Sequence, residues 1–351
     1  MSELFIPHSR PALGEPEAKA VAEVVRGGWI AQGRQVAAFE QAIAKVTGQA
    51  QGVAVSSGTA ALYLALAALG IGADDEVVIP SYVCTALWHA VRQTGAKPIL
   101  VDIEPASYHP SPQAVTRVLT RRTKAVIVPH MFGLPADIVT LKNHGIPIIE
   151  DCAQTLGMTV RGTAVGGTGE LAICSFYATK LLTAGEGGMV LGRDESLVGR
   201  VRAFRQYDEH EAPERAFNYK MTDMQAALGL CQVARLESFL ARRQAIASRY
   251  HEAVRQSGLT PPPAAPGLEH GYFRYVVRLS GPVGPALDRA RVLGIECRRP
   301  VDPPIHRYLG KKGFPETDAA WERALSIPLY PALTDHEVDR VVGALPTILA
   351  G

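Results

Sequence analysis

The sequence predicts an α/β protein, with a mostly parallel sheet in a large unit and a smaller α/β unit towards the C-terminus. Three observations carry that expectation. Seven short apolar or β-branched runs stand at residues 52–55, 77–80, 98–102, 125–129, 146–150, 172–176 and 188–191. The first six are spaced so that a helix and two loops fit between successive starts, which is the rhythm of right-handed βαβ crossovers. Four prolines between residues 257 and 266 exclude regular structure and mark a connection. The boundary is placed in the helix before it, giving a large domain at 1–240 and a small one at 241–351.

The elements follow in order. Residues 49–73 carry no charge and are long enough to span a bilayer, but Ser56-Ser57-Gly58-Thr59 interrupts them and alanine dominates. They read as a buried strand, a polar turn and a helix, not as a membrane span. The gap before residues 188–191 is short and glycine-rich, so that last strand is expected to run antiparallel. Thr222 and Gln225 have the form of a capping box, and Met224, Leu228, Cys231 and Leu236 follow at helical spacing. One long helix to about Val254 is expected. Beyond the prolines, 272–279 alternates like a half-buried strand, 285–293 reads as helix, and Thr334 with Glu337 opens a final capped helix.

Composition narrows the function classes. The 351 residues exceed what one hydrophobic core usually organises. With 47% apolar and 20% charged residues and a formal charge of +2, the chain reads as soluble and globular. Its 36 basic residues are scattered among 34 acidic ones, so no nucleic-acid-binding stripe is expected. Five cysteines, odd in number and without CxxC spacing, suggest reduced thiols. The N-terminal residues lack the basic start and apolar stretch of a signal peptide, and a cytoplasmic location is expected.

Four local patterns point to chemistry. Lys180 is the only charged residue from 171 to 185; an ammonium among apolar and small residues is expected to have a depressed pKa and to offer a nucleophilic amine. The alternative is a lysine whose tip reaches solvent. Ser57-Gly58-Thr59 opens an Ala-Leu helix, where free amides form either a phosphate site or a simple cap. Glu150-Asp151 ends an apolar strand, where open α/β sheets bind ligands; Asp151 can hold a ring nitrogen protonated and Gln154 can donate nearby, or the pair can serve as helix caps. Ser175, five residues before Lys180, can take a phosphate oxygen, with the glycines at 185, 187 and 188 admitting a planar ligand or simply turning the chain.

In this order the patterns resemble the DegT/DnrJ/StrS family of pyridoxal-phosphate-dependent sugar aminotransferases, of the fold-type I group. The resemblance runs through Gly28-Trp29-Ile30, Ser56-Ser57-Gly58-Thr59, Pro129-His130-Met131-Phe132-Gly133, Glu150-Asp151-Cys152-Ala153-Gln154, Ser175-Phe176 to Lys180, Gly185-Glu186-Gly187-Gly188, Asn218-Tyr219-Lys220-Met221 and His306. It implies a three-layer αβα sandwich around a seven-stranded sheet, with a smaller C-terminal domain. It implies pyridoxal 5'-phosphate as cofactor, Lys180 as the lysine that forms the internal aldimine and shuttles protons, and Asp151 as partner of the pyridine nitrogen. Gln154 matches the residue near the phenolic oxygen, and Gly58, Thr59 and Ser175 match the phosphate-binding positions. Asn218 matches an asparagine that reaches the neighbouring subunit's cofactor phosphate, so a homodimer with shared sites is expected. His306 matches a histidine near the sugar-nucleotide pocket.

Two departures stand out. Cys84 occupies a place where relatives carry an aromatic ring that stacks on the cofactor, with Tyr82 and Trp88 as possible substitutes, and Lys220 replaces the usual arginine. The implied activity is transfer of an amino group, from glutamate, to a keto group of a nucleotide-linked deoxysugar. A keto-cyclitol or other keto-sugar acceptor is the alternative within enzymes, and a non-catalytic regulator on the same fold the alternative outside them. Dehydratase members replace the lysine with histidine, so Lys180 argues against that branch.

Overall fold

The computed structural model describes residues 5–207, 216–263 and 267–350. Among them eleven strands appear: β1 (Gln51–Val55), β2 (Glu76–Pro80), β3 (Lys97–Val101), β4 (Thr123–Pro129), β5 (Ile148–Asp151), β6 (Thr159–Val160), β7 (Thr163–Ala164), β8 (Leu171–Ser175), β9 (Gly188–Gly192), β10 (Tyr275–Arg278) and β11 (Ala324–Ile327). Seven of them form one sheet in the order β1-β9-β8-β5-β4-β2-β3. All seven apolar runs therefore become its strands. Only β9 runs against the others, pairing antiparallel with both β1 and β8, as its short glycine-rich approach predicts.

Strand alternation builds the three layers. Val53, Val55, Ile127 and Ile149 face a core shared with the helix Gly58–Ala68. Their neighbours Ala54, Val126, Val128 and Ile148 face the opposite side, towards Phe39 and Ile43 of the helix Arg34–Thr47 or towards Val115 and Leu141. A parallel sheet covered on both faces accounts for strands that read as continuous apolar runs. It also explains the uncharged 49–73 stretch: residues 60–68 are all buried, so that helix is apolar all round. No helix among the described residues is long and apolar enough to cross a membrane.

The capping box at Thr222 and Gln225 forms as expected, but the helix after it does not run unbroken. It stops at Ala234 and restarts at Leu236, with Arg235 at φ −104° and ψ 1° between. The cause is polar: Arg235 Nη1 donates to Glu17 Oε1 (3.0 Å) and to the Ala12 carbonyl (3.2 Å), and Gln232 donates to the same two groups. These anchors tie the joint to the N-terminal segment.

A second core gathers Ile246, Tyr250 and Val254 of the helix Leu236–Gln256 with Tyr275, Val277, Leu325, Ile327, Val338 and Val341. Here β10 and β11 pair antiparallel, and the helices Val283–Val292 and Asp335–Leu349 cover them, the latter opened by the Thr334 and Glu337 capping box. Ile6 belongs to this core through its bridge to Ile295, so the first described segment packs with the C-terminal unit before the chain enters the large one.

Candidate active site

The site lies at the carboxyl ends of the parallel strands, where loops leave the sheet. After β1, Ser57 caps the helix Gly58–Ala68 by accepting from the Ala60 amide (3.1 Å), and the amides of Gly58 and Thr59 at the helix start have no intrahelical partner. The end of β8 lies directly against them. A Cβ placed on Gly58 would stand 2.8 Å from Ser175 Cβ and 3.0 Å from its Oγ, so only glycine lets the helix start and Ser175 share one small pocket. Gly188 closes it from behind: a Cβ there would fall 2.3 Å from the Ser57 carbonyl oxygen. The helix start at Gly58 and Ser175, distant in sequence, thus come together, an arrangement that can receive an anion.

Period-two alternation separates the two acids that end β5. Glu150 points away from the cleft and is 2% exposed. It accepts from the amides of Gly166, Thr168 and Gly169 (3.1, 2.8 and 2.6 Å) and from His130 Nε2 (3.1 Å). His130 Nδ1 accepts from the Ala136 amide (2.9 Å), which assigns the proton to Nε2. Burial opposes the ionised form of Glu150, yet these donors hold its pKa below the ordinary value. It is a structural carboxylate.

Asp151 turns the other way, into a cleft of about 1060 Å³ that Lys180, Gln154, Phe132 and Cys84 also line. Burial raises its pKa above the usual carboxylate range, opposed by the charge of Lys180, the Ala153 amide (3.0 Å) and His130. A carboxyl raised by burial next to a fixed cation is suited to receiving a proton-bearing ring nitrogen, which supplies the missing counter-charge. Lys180 reaches the cleft from a turn in which its amide donates to the Tyr177 carbonyl (2.9 Å). The loop is closed by bonds from Phe176 to Gly187 and from Ala184 to Phe176, both 2.9 Å. Lys180 Nζ stands 5.5 Å from the centroid of the Phe273 ring. Gln154 is oriented by the Phe132 amide, which donates to its Oε1 (2.7 Å) and leaves its NH₂ as the free donor.

The remaining expected residues lie elsewhere. Asn218 is exposed, next to Tyr219, whose carbonyl accepts from the Ser56 amide (2.8 Å). It is near the helix start on the outer surface. His306 is buried and stands behind the cleft wall: Nδ1 pairs with Ser81 Oγ (2.8 Å), Nε2 with Asp318 Oδ1 (3.2 Å), and the ring stacks on Phe314. Both ring nitrogens are committed, and neither His306 nor the fully buried Ser81 that follows β2 lines the cleft. It is no solvated loop histidine. Tyr82 is fully buried and stacks on Tyr108, and Trp88 packs partly buried on the core. Cys84, exposed, is the member of the three that lines the cleft.

Sequence reasoning missed Phe273 and Arg274, which contribute to the cleft from the start of β10. Phe132 carries a signal in retrospect, since it sits in the Pro129-His130-Met131-Phe132-Gly133 stretch. Its φ of 59° and that of Gly133, 96°, turn the chain so that the Phe132 carbonyl accepts from the Arg274 amide (3.2 Å) and the Gly133 carbonyl from Gly271 (2.8 Å). A Cβ on Gly133 would fall 2.5 Å from the Phe273 amide nitrogen. This turn fastens the smaller unit to the wall of the cleft.

An amine and an amide donor that share a cleft with a carboxylate, with free helix-start amides after β1 and a serine at the end of β8, are the groups that pyridoxal phosphate requires. Comparison with known proteins agrees. The model of the DegT/DnrJ/EryC1/StrS aminotransferase family matches residues 11–346. The GDP-perosamine synthase of Caulobacter vibrioides is 34% identical over 97% of both chains. The crystal structure of the aminotransferase TlmJ from Streptoalloteichus hindustanus superimposes with a TM-score of 0.92 at 33% identity, covering 100% of this chain and 99% of that one. The protein Spr1654 from Streptococcus pneumoniae, solved in its PLP form, superimposes with a TM-score of 0.92 at 26% identity over 98% of each chain. The chain belongs to the DegT/DnrJ/EryC1/StrS aminotransferase family. It is a pyridoxal-phosphate-dependent aminotransferase with the three-layer fold-type I architecture.

Proposed function

We propose that the enzyme transfers an amino group from glutamate to a keto group of a nucleotide-linked deoxysugar. The observation that carries this reading is the cleft itself. At about 1060 Å³ it sits at the upper end of ordinary ligand pockets, about 300–1000 Å³, and Arg274, Arg291, Arg298 and Arg299 line it. A small keto acid needs neither that volume nor the exposed guanidinium groups of Arg291 and Arg298 near its mouth; a sugar linked to a diphosphate uses both. The similarity to a GDP-perosamine synthase supports the same substrate class.

Bound in the cleft, pyridoxal phosphate supplies an electron-withdrawing ring that takes up and releases the amino group. The chain's own residues do the rest. Asp151 holds the proton at the ring nitrogen, and Gln154 donates towards the ring oxygen. Gly58, Thr59 and Ser175 would grip the phosphate, an anchor that does not depend on Lys180. Lys180, held by its turn, would serve as base and then acid for the proton that moves during amino transfer, a role that depends on position. His306 would act at a distance, as a positioning residue that fixes buried Ser81 where the chain leaves β2. Asn218, exposed beside the helix start, reaches the phosphate of a second subunit in a homodimer. Exposed Trp29 and Ile30, 67% and 48%, support that assembly as apolar surface a partner would cover.

A half-reaction screen tests the substrate class. The enzyme loaded with pyridoxamine phosphate is mixed with several nucleotide-linked keto-hexoses and with free keto-cyclitols, and return of the aldehyde-form absorbance is followed. Turnover of a nucleotide keto-sugar is expected; turnover of a free cyclitol ketone with failure of every nucleotide sugar would move the assignment to the cyclitol class.

A further inference from the structure

The four arginines of the cleft are not equivalent. Arg298 pairs with Glu296, Arg291 with Asp288, and Arg299 stacks on Trp321 while donating to its carbonyl. Arg274 is partly buried, and no hydrogen bond or ion pair engages its guanidinium among the described residues. Burial first, and Arg298 second, push its pKa below the ordinary arginine value, with Asp302 the carboxylate whose field opposes them. A guanidinium offers five N–H donors, and withdrawing it from water without acceptors is costly.

The group is nevertheless firmly placed. Its backbone amide is bonded to the Phe132 carbonyl, and the Phe132 amide is bonded to Gln154, so Arg274 rides on the turn that orients a cofactor-facing side chain. Its Cζ lies 5.6 Å from the Phe273 ring centroid, and Lys180 Nζ lies 5.5 Å from the same centroid. Arg274 and Lys180 thus both approach one ring. By contrast Arg291 and Arg298, with side chains 80% and 60% exposed, stand at the mouth.

We infer that Arg274 receives the α-carboxylate of the amino-acid donor. The inference rests on the aminotransferase reading above. Depth decides between the two anions the cleft must accept. A donor's carboxylate is attached to the carbon that bears the reacting amine, so it must find its partner close to Lys180. The diphosphate of a nucleotide sugar lies a sugar ring farther out, towards Arg291 and Arg298. The planar fork of arginine matches a carboxylate in two parallel bonds, a geometry lysine lacks.

The test uses holoenzyme and the variants Arg274→Met and Arg274→Lys. Affinity for L-glutamate is read from the cofactor spectrum, affinity for GDP, a nucleoside-diphosphate probe, from calorimetry, and stability from thermal unfolding without ligand. The expected result is glutamate binding about ten- to hundredfold weaker in Arg274→Met, a smaller loss in Arg274→Lys, GDP affinity within about threefold of the parent, and an unfolding temperature of Arg274→Met at or above the parent's. Three results overturn the inference: unchanged glutamate affinity, a loss confined to GDP, or a lowered unfolding temperature with both affinities lost together, which marks a structural role. Failure of the unsubstituted holoenzyme to react with any amino acid would sink the aminotransfer reading itself and is seen without any variant.

Discussion

Gly58→Ala is the substitution whose consequence the geometry defines most closely. The added methyl would sit 2.8 Å from Ser175 Cβ and 3.0 Å from Ser175 Oγ, well inside contact distance. Either the helix start or the β8 end must retreat by several tenths of an ångström. Overpacking of this kind costs about 1–3 kcal/mol, and because β8 is a central strand paired on both sides, the displacement falls mainly on the anion cradle. Loss of one charge-assisted contact, worth about 1.5–3 kcal/mol, weakens pyridoxal phosphate binding by roughly ten- to hundredfold. Equilibrium titration of cofactor into apoenzyme, followed by absorbance, measures it. The clash names its own control: Ser175→Gly removes both atoms that the new methyl strikes, so Gly58→Ala in that background should destabilise the fold by far less than alone, whereas Ser175→Ala, which removes only the farther Oγ, should give less relief. Unchanged cofactor affinity in Gly58→Ala, or equal relief from both Ser175 variants, would refute the shared-pocket reasoning.

Asp151→Asn should abolish turnover yet stabilise the cofactor-free protein at neutral pH. Its folded-state pKa is raised, so its favourable contribution exists below the unfolded pKa and is lost as pH rises through the raised value; thermal unfolding against pH should show the variant gaining over the parent on the high-pH side. Glu150 has the opposite sign. Its pKa is depressed, so its contribution is present above the unfolded value and lost as acidification passes the depressed one; Glu150→Gln, which leaves buried amides and neutral His130 short of an acceptor, should cost about 1–3 kcal/mol in denaturant unfolding, and unchanged stability would contradict the buried network. Cys84 is the exposed thiol, while burial raises the pKa of Cys152, Cys174 and Cys297. Brief treatment with iodoacetamide and peptide mapping should therefore modify Cys84 first, and prior loading with pyridoxal phosphate should protect it; modification at Cys84 unaffected by the cofactor would place it outside the cleft.

What could be read from the sequence divides along physical lines. Strand positions were legible because a sheet buried on both faces demands uninterrupted apolar runs, and even the reversal of β9 was signalled by the short glycine-rich approach. Lys180, Asp151 and Ser175 stood out because each breaks its local pattern, a charge or hydroxyl at the end of an apolar run. The joint at Arg235 was not legible: the apolar spacing continues through it, and the break comes from Ala12 and Glu17, more than two hundred residues away. Glu150 and Asp151 looked like a pair, and only strand alternation separates the structural acid from the one in the cleft. Arg274 was hidden for a similar reason. In an alternating strand a charged residue reads as solvent-facing, and nothing local reveals that its outward side is the interior of a cleft built by the other unit.

Borohydride reduction of the pyridoxal-phosphate-loaded protein, followed by mass spectrometry of its peptides, tests the central claim most directly. The account predicts one cofactor fixed per chain, on Lys180, with no labelling in Lys180→Ala. Labelling on a different lysine, or a Lys180→Ala protein that retains the covalent label, would contradict it.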